Sequence, residues 1–218
     1  MIMYMSEKNA GSDIFCITNR KLCREDFFAR LRKIAAARPA AVILREKDLS
    51  EKEYKELAKK VLKICREQKT ACILHSFPET SLELGCGSLH LPLPVLMEMD
   101  DSQRQKFPVL GASCHSVEDA VLAERLGCTY ITAGHIFDTD CKKGLPGRGL
   151  EFLKNVCAGV SIPVYAIGGI APVHIRQVKR AGAAGACVMS GLMVCEDPED
   201  YLQEFKTQER SGKLFAGA

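Results

Sequence analysis

A single (β/α)8 barrel, the TIM-barrel fold, is predicted by three features of this sequence. Eight short apolar runs recur along the 218 residues, amphipathic segments separate them, and most of the runs lack polar alternation. Strands buried on both faces, as in a parallel sheet wrapped by helices, lose the period-two pattern. Open doubly wound sheets more often hold about five or six strands, so a count of eight favours closure.

The runs are IFCIT (14–18), AAVIL (40–44), ACIL (71–74), SLHL (88–91), PVLGAS (108–113), TYITAG (129–134), IPVYAIG (162–168) and GACVMS (185–190). Helical segments fall between them. The clearest covers 50–68, where Ser50 and Glu53 form a capping box. There Tyr54, Leu57, Ala58, Val61, Leu62 and Cys65 keep helical spacing, with charges opposite. Residues 116–126 repeat the design with Ser116, Asp119 and the stripe Val117, Ala120, Val121 and Leu126, and Gly127 stands where a helix ends. Ala181-Gly182 gives the same ending. Segment 76–87 is the weakest, being short and carrying Pro78 and two glycines. The expected organisation is an N-terminal extension over 1–13, the barrel over 14–207 and a frayed tail over 208–218.

Composition narrows the function. The chain is 47% hydrophobic and 26% charged, with a formal charge of only +3, so its overall balance suggests no nucleic-acid or membrane partner. It has no apolar run near the roughly 20 residues a bilayer requires. The N-terminus lacks a basic region followed by an apolar one, so a soluble, cytoplasmic protein is expected. Eleven cysteines stand without any CxxC pair, mostly inside apolar runs, as reduced core residues would.

Function in such a barrel gathers at the C-terminal strand ends. AIGGIAP and VMSGL end the seventh and eighth runs, so Gly168, Gly169, Met189 and Ser190 are the expected phosphate-binding residues, through bare N–H groups and a hydroxyl. Glycines there also serve a tight turn. Arg45 and Lys47, two apart after the second run, face one way and suit an anion. On charge alone they equally make a solvated run with Glu46 and Asp48; the buried-looking AAVIL before them favours the anion. The loop AGHIFDTDCKKG holds His135, positioned either to move a proton or to satisfy the loop backbone. Ser113, Thr139 and Lys142 complete the expected substrate-binding set, with Lys143 competing for the inward place of Lys142. His75, His115 and His135 all lie near strand ends, so a metal-dependent hydrolase is a rival, but no carboxylate immediately follows the third or fifth run. His90 reads as core and His174 as helical, away from the mouth.

The ordered set LREKD (44–48), LGASCHS (110–116), GHIFDTDCKKGLPGRG (134–149), PVYAIGGI (163–170) and VMSG (188–191) resembles the thiamine phosphate synthase/TenI superfamily. AIGGI and VMSG are common to many phosphate-binding barrels; GHIFDTDCKKG is more specific and looks like the TenI-type thiazole tautomerases. Synthases of the superfamily join a pyrimidine diphosphate to a thiazole phosphate, using magnesium held by two aspartates. Those aspartates fall here on His75-Ser76 and near Val95, with Asp100 and Asp101 further along, and the synthase proline after the sixth-strand glycine is replaced by His135. The resemblance therefore implies a metal-independent tautomerase of a carboxylated thiazole phosphate, without cofactor, in which His135 is the acid/base residue. It implies a small-molecule thiazole phosphate as ligand and leaves a homo-oligomer open. The alternatives are thiamine phosphate synthase, which would need Mg2+, and a non-catalytic phosphate sensor.

Overall fold

A computed structural model describes residues 13–139 and 144–211. Eight parallel strands close into a barrel in chain order: β1 (Ile14–Ile17), β2 (Ala41–Leu44), β3 (Cys72–His75), β4 (Ser88–Pro92), β5 (Val109–Cys114), β6 (Tyr130–Gly134), β7 (Val164–Ile167) and β8 (Gly185–Val188), with β8 pairing back to β1. All eight expected runs are strands.

Helices wrap the outside: α1 (Phe27–Ala36), α2 (Glu51–Glu67), α3 (Pro78–Glu83), α4 (Leu93–Glu98), α5 (Asp101–Arg104), α6 (Val117–Arg125), α7 (Gly149–Gly159), α8 (Ile175–Arg180), α9 (Ser190–Val194) and α10 (Pro198–Arg210). Both sides of the Ser50–Glu53 capping box on α2 are made, and Ser116 caps α6 by accepting the N–H of Asp119. The last helix continues to Arg210, past the barrel boundary expected at 207.

Two cores follow from strand alternation. Ile14, Cys16, Val42, Leu44, Leu74, Leu89 and Leu91 face the helices, whereas Phe15, Ile17, Ala41, Ile43, Ile73, Val109, Tyr130, Tyr165 and Cys187 fill the barrel. Within the barrel Phe15 stacks on Tyr165 at 4.0 Å and meets Tyr130 edge-on at 5.5 Å. Gly111 is required here: a Cβ on it would lie 2.2 Å from Cζ of Tyr130. The absent side chain lets the tyrosine ring cross β5. The ten described cysteines are all free, and most are buried. No helix among the described residues is long and apolar enough to cross a membrane.

Candidate active site at the C-terminal strand ends

Period-two alternation carries the inward side of each strand up to the mouth. Following Ile73 and Tyr130 in this way brings His75 and Thr132 inward, and the β4 and β5 registers add His90 and Ser113. These four side chains floor the mouth. His90 lies with Nδ1 2.9 Å from the Tyr130 hydroxyl and Nε2 2.9 Å from the Ser113 hydroxyl. Its ring stacks against His75 at 5.9 Å, and the Ser76 hydroxyl is 2.5 Å from His75 Nδ1. Burial drives both imidazoles toward the neutral form, His75 down to about 2 and His90 down to about 3. Neighbouring His90 and then the Arg45 charge add to the shift at His75, and the Arg45 charge adds to that at His90. A neutral imidazole carries one N–H, so His90 donates to one hydroxyl and accepts from the other. His90 is therefore both core, as expected, and part of the mouth's polar floor.

The β2 end differs from a solvated charge run. Glu46 is only 3% exposed; its carboxylate accepts from the Thr18 hydroxyl at 2.8 Å, the Arg20 N–H at 3.0 Å and Arg20 Nη1 at 3.0 Å. Arg20 also makes a two-pronged pair with Asp48, at 2.6 and 2.7 Å. That pairing raises the Arg20 guanidinium further and holds the Asp48 carboxyl well below the usual range. Thr18 accepts the Arg45 N–H at 3.0 Å. Thus β1 and β2 are latched together, with half-buried Arg45 and exposed Lys47 on either side of the buried acid. Thr18 and Arg20 were not nominated from sequence; the strand-end rule applied to TNR, at the end of the first run, would have found them.

After β7, Gly168 and Gly169 take φ of +96° and +66°, conformations that cost a side-chain residue about 1–2 kcal/mol. Their bareness also admits the β6 loop: a Cβ on Gly168 would meet His135 Cβ at 2.2 Å, and one on Gly169 the Asp138 carbonyl at 2.4 Å. Among the described residues, no acceptor takes the N–H of Gly169 or Ile170. Met189 is half-buried and Ser190 exposed at the end of β8, beside these glycines. The expected phosphate loops are therefore adjacent and open.

His135 is 8% exposed. Its Nε2 lies 3.2 Å from the Leu145 carbonyl, and its Nδ1 is buried without a partner. A carbonyl only accepts, so Nε2 donates in this contact. His115 is exposed, with Nδ1 3.0 Å from the Gly134 carbonyl, and His174 stacks on Phe137 at 4.1 Å, closer to the β6 loop than a helical position suggested. Thr139 is half-buried where the described chain pauses; Lys142 and Lys143 lie outside the described residues.

The positions onto which the resemblance carries the synthase aspartates hold no carboxylate. His75 and Ser76 follow β3, and Pro94 and Val95 stand in α4. Asp100 accepts from the Gln103 N–H and the Ser102 hydroxyl, and Asp101 pairs with Arg104, so both are taken up at the start of α5. Among the described residues no group of three His, Cys, Asp or Glu side chains could hold a metal ion.

Comparison with known proteins bears on the reaction. The family model described as thiamine monophosphate synthase matches residues 14–192. A thiamine-phosphate synthase of Clostridium acetobutylicum is 30% identical over 88% of this chain and 92% of its own. Thiamine-phosphate synthase 2 of Streptococcus pneumoniae is 33% identical over 88% and 92%. A solved thiamine phosphate pyrophosphorylase from Pyrococcus furiosus superposes with a TM-score of 0.77 at 28% identity, covering 91% and 95% of the two chains. These relatives overturn the tautomerase expectation: full-length similarity is to transferases. His135 alone was too local a signal to separate the branches, and its ring is held by a loop carbonyl.

Proposed function

This chain belongs to the thiamine monophosphate synthase family, and on that premise we propose that it is a transferase joining a pyrimidine diphosphate to a thiazole phosphate. The observation that carries the reading is identity of 30–33% to curated thiamine-phosphate synthases along nearly the whole barrel. The mouth supplies suitable chemistry. The N–H groups of Gly169 and Ile170, with Met189 and Ser190 opposite, hold the thiazole phosphate, as paired loops do in phosphate-binding barrels. Arg45 and Lys47 receive the diphosphate, and the Glu46–Arg20 latch positions them. In the reaction the carbon–oxygen bond to diphosphate breaks and its electron pair leaves on the diphosphate. The thiazole supplies the pair for the new bond. Fixed cations help because negative charge grows on the departing group. Ser113, oriented by His90, contacts the ring substrates from the floor, and Thr139 lines the rim. Because no proton moves at carbon in this transfer, His135 serves to seat the β6 loop against Gly168.

Purified protein mixed with pyrimidine diphosphate and thiazole phosphate should yield thiamine phosphate and pyrophosphate in equal amounts. Neither product appearing, with or without magnesium, sinks the reading.

A further inference from the structure

The stretch that carries the N–H groups of Gly169 and Ile170 is held at both ends, and both holds lead to the β6 loop. At the near end, the Gly168 carbonyl accepts the Phe137 N–H at 3.0 Å. At the far end, the Ala171 N–H donates to Nδ1 of His174 at 3.1 Å, and the His174 N–H donates back to the Ala171 carbonyl at 2.9 Å. The His174 ring lies on the Phe137 ring, with centroids 4.1 Å apart and planes 22° apart. We infer that His174 is a positioning residue for the anion site after β7, fixing the two N–H groups by clamping Ala171 onto Phe137. The identity of that anion, a thiazole phosphate, rests on the transferase reading.

Three observations lead there. First, Ala171 cannot fix itself. It precedes the 3-10 turn Pro172–His174 and has no side-chain oxygen with which to cap that turn. The side chain that reaches back comes instead from the turn's third residue, the place a capping box reserves for it. That residue is His174.

Second, the Phe137 ring is located from two sides. A Cβ on Gly169 would lie 2.8 Å from Phe137 Cβ, so the base of the phenylalanine rests on the loop's bare glycine. Its ring rests on His174. Removing the imidazole therefore frees the Ala171 N–H and one face of the ring in a single change.

Third, His174 orients the backbone without holding up the barrel. Ile170 and Ile175, on either side of the clamp, are buried in the helix-facing core at 8% and 2% exposure, and they keep this stretch on the barrel. Gly168, Gly169, Ala171 and His174 are only half-buried. What His174 adds is order in a peptide that would otherwise have to be ordered by its ligand, and order supplied beforehand appears as affinity.

The test uses the full chain and three variants: His174→Ala; His174→Asn, which keeps an acceptor for the Ala171 N–H; and His174→Phe, which keeps a ring on Phe137. Thiazole phosphate is titrated calorimetrically into each, and KM and kcat are measured with each substrate varied in turn. His174→Ala should weaken thiazole phosphate binding and raise its KM by about tenfold, the equivalent of one good hydrogen bond, with kcat and the KM for pyrimidine diphosphate held within about twofold. At least one of the Asn and Phe variants, each retaining one contact, should recover part of the loss. Four results overturn the inference: a thiazole phosphate affinity within about twofold of wild type in His174→Ala; both KM values raised together, as general loosening or misfolding would do; no recovery in either conservative variant; or no thiazole phosphate binding by the wild-type chain. A chain that makes no thiamine phosphate, yet loses thiazole phosphate affinity tenfold on His174→Ala, would sink the transferase reading alone. Normal turnover left untouched by His174→Ala would sink this inference alone.

Discussion

The Nε2 atom of His90 lies 2.9 Å from the Oγ atom of Ser113, joining β4 to β5 at the floor of the mouth. The ring is buried and neutral, as is that of His75 stacked beside it. Both folded-state values, about 3 and about 2, lie below the unfolded histidine value near 6.5. The unfolded chain therefore takes up protons that the folded one refuses. Stability is fully present above about pH 6.5 and drains away as pH falls below it, at a slope approaching about 2.7 kcal/mol per pH unit for two histidines. Urea denaturation between pH 7 and 5 should display this fall, and His90→Gln should remove about half the slope. An unchanged slope in that variant would show that His90 is protonated in the folded chain.

Gly111→Ala places a methyl group 2.2 Å from Cζ of Tyr130, and the ring is packed by Phe15 and Tyr165. Overpacking of this kind costs about 1–3 kcal/mol. Thermal melts should fall by several degrees, and Gly111→Ala combined with Tyr130→Leu should recover part of the loss. No recovery would mean that the strain arises in the backbone.

Replacing Glu46 with Gln keeps the shape of the latch and removes its charge. Arg20 retains Asp48, so no cation is stranded, and the expected cost is about 1–3 kcal/mol. Because Glu46 positions Arg45 and Lys47, KM for the diphosphate substrate should rise more than kcat falls. Equal effects on the two constants would refute a positioning role.

The barrel was legible because all eight strands are buried on both faces, and because Ser50 and Ser116 announce their helices by side-chain capping. The glycine turn after β7 was legible for the same local reason, paired glycines at a strand end. Glu46 was not: its burial depends on Thr18 and Arg20, 28 and 26 residues away, and no local pattern reveals a partner at that distance. The reaction was misread for a related cause. His135 stands where a proton carrier would, yet the Leu145 carbonyl that engages it belongs to a later part of the loop. Which residues reach the mouth follows from alternation once the strand register is known; which acids are already paired follows only from the fold.

Gly169 offers the sharpest test of the phosphate loops. Alanine there faces two obstacles, a φ of +66° and the Asp138 carbonyl 2.4 Å from the new Cβ, with Phe137 Cβ at 2.8 Å. Gly85 has nearly the same φ, +64°, but nothing within 4 Å. Gly85→Ala therefore measures the backbone cost alone, about 1–2 kcal/mol, with binding unchanged. Gly169→Ala should carry that cost and also push the β6 loop away, disturbing the N–H groups of Gly169 and Ile170. The expected outcome is KM for thiazole phosphate raised about tenfold or more, equivalent to at least one good hydrogen bond, while KM for the diphosphate moves little. Steady-state kinetics with each substrate varied in turn decides it. Should both KM values rise together, the two anions share one region of the mouth, and the division between the β2 end and the β7–β8 loops is wrong.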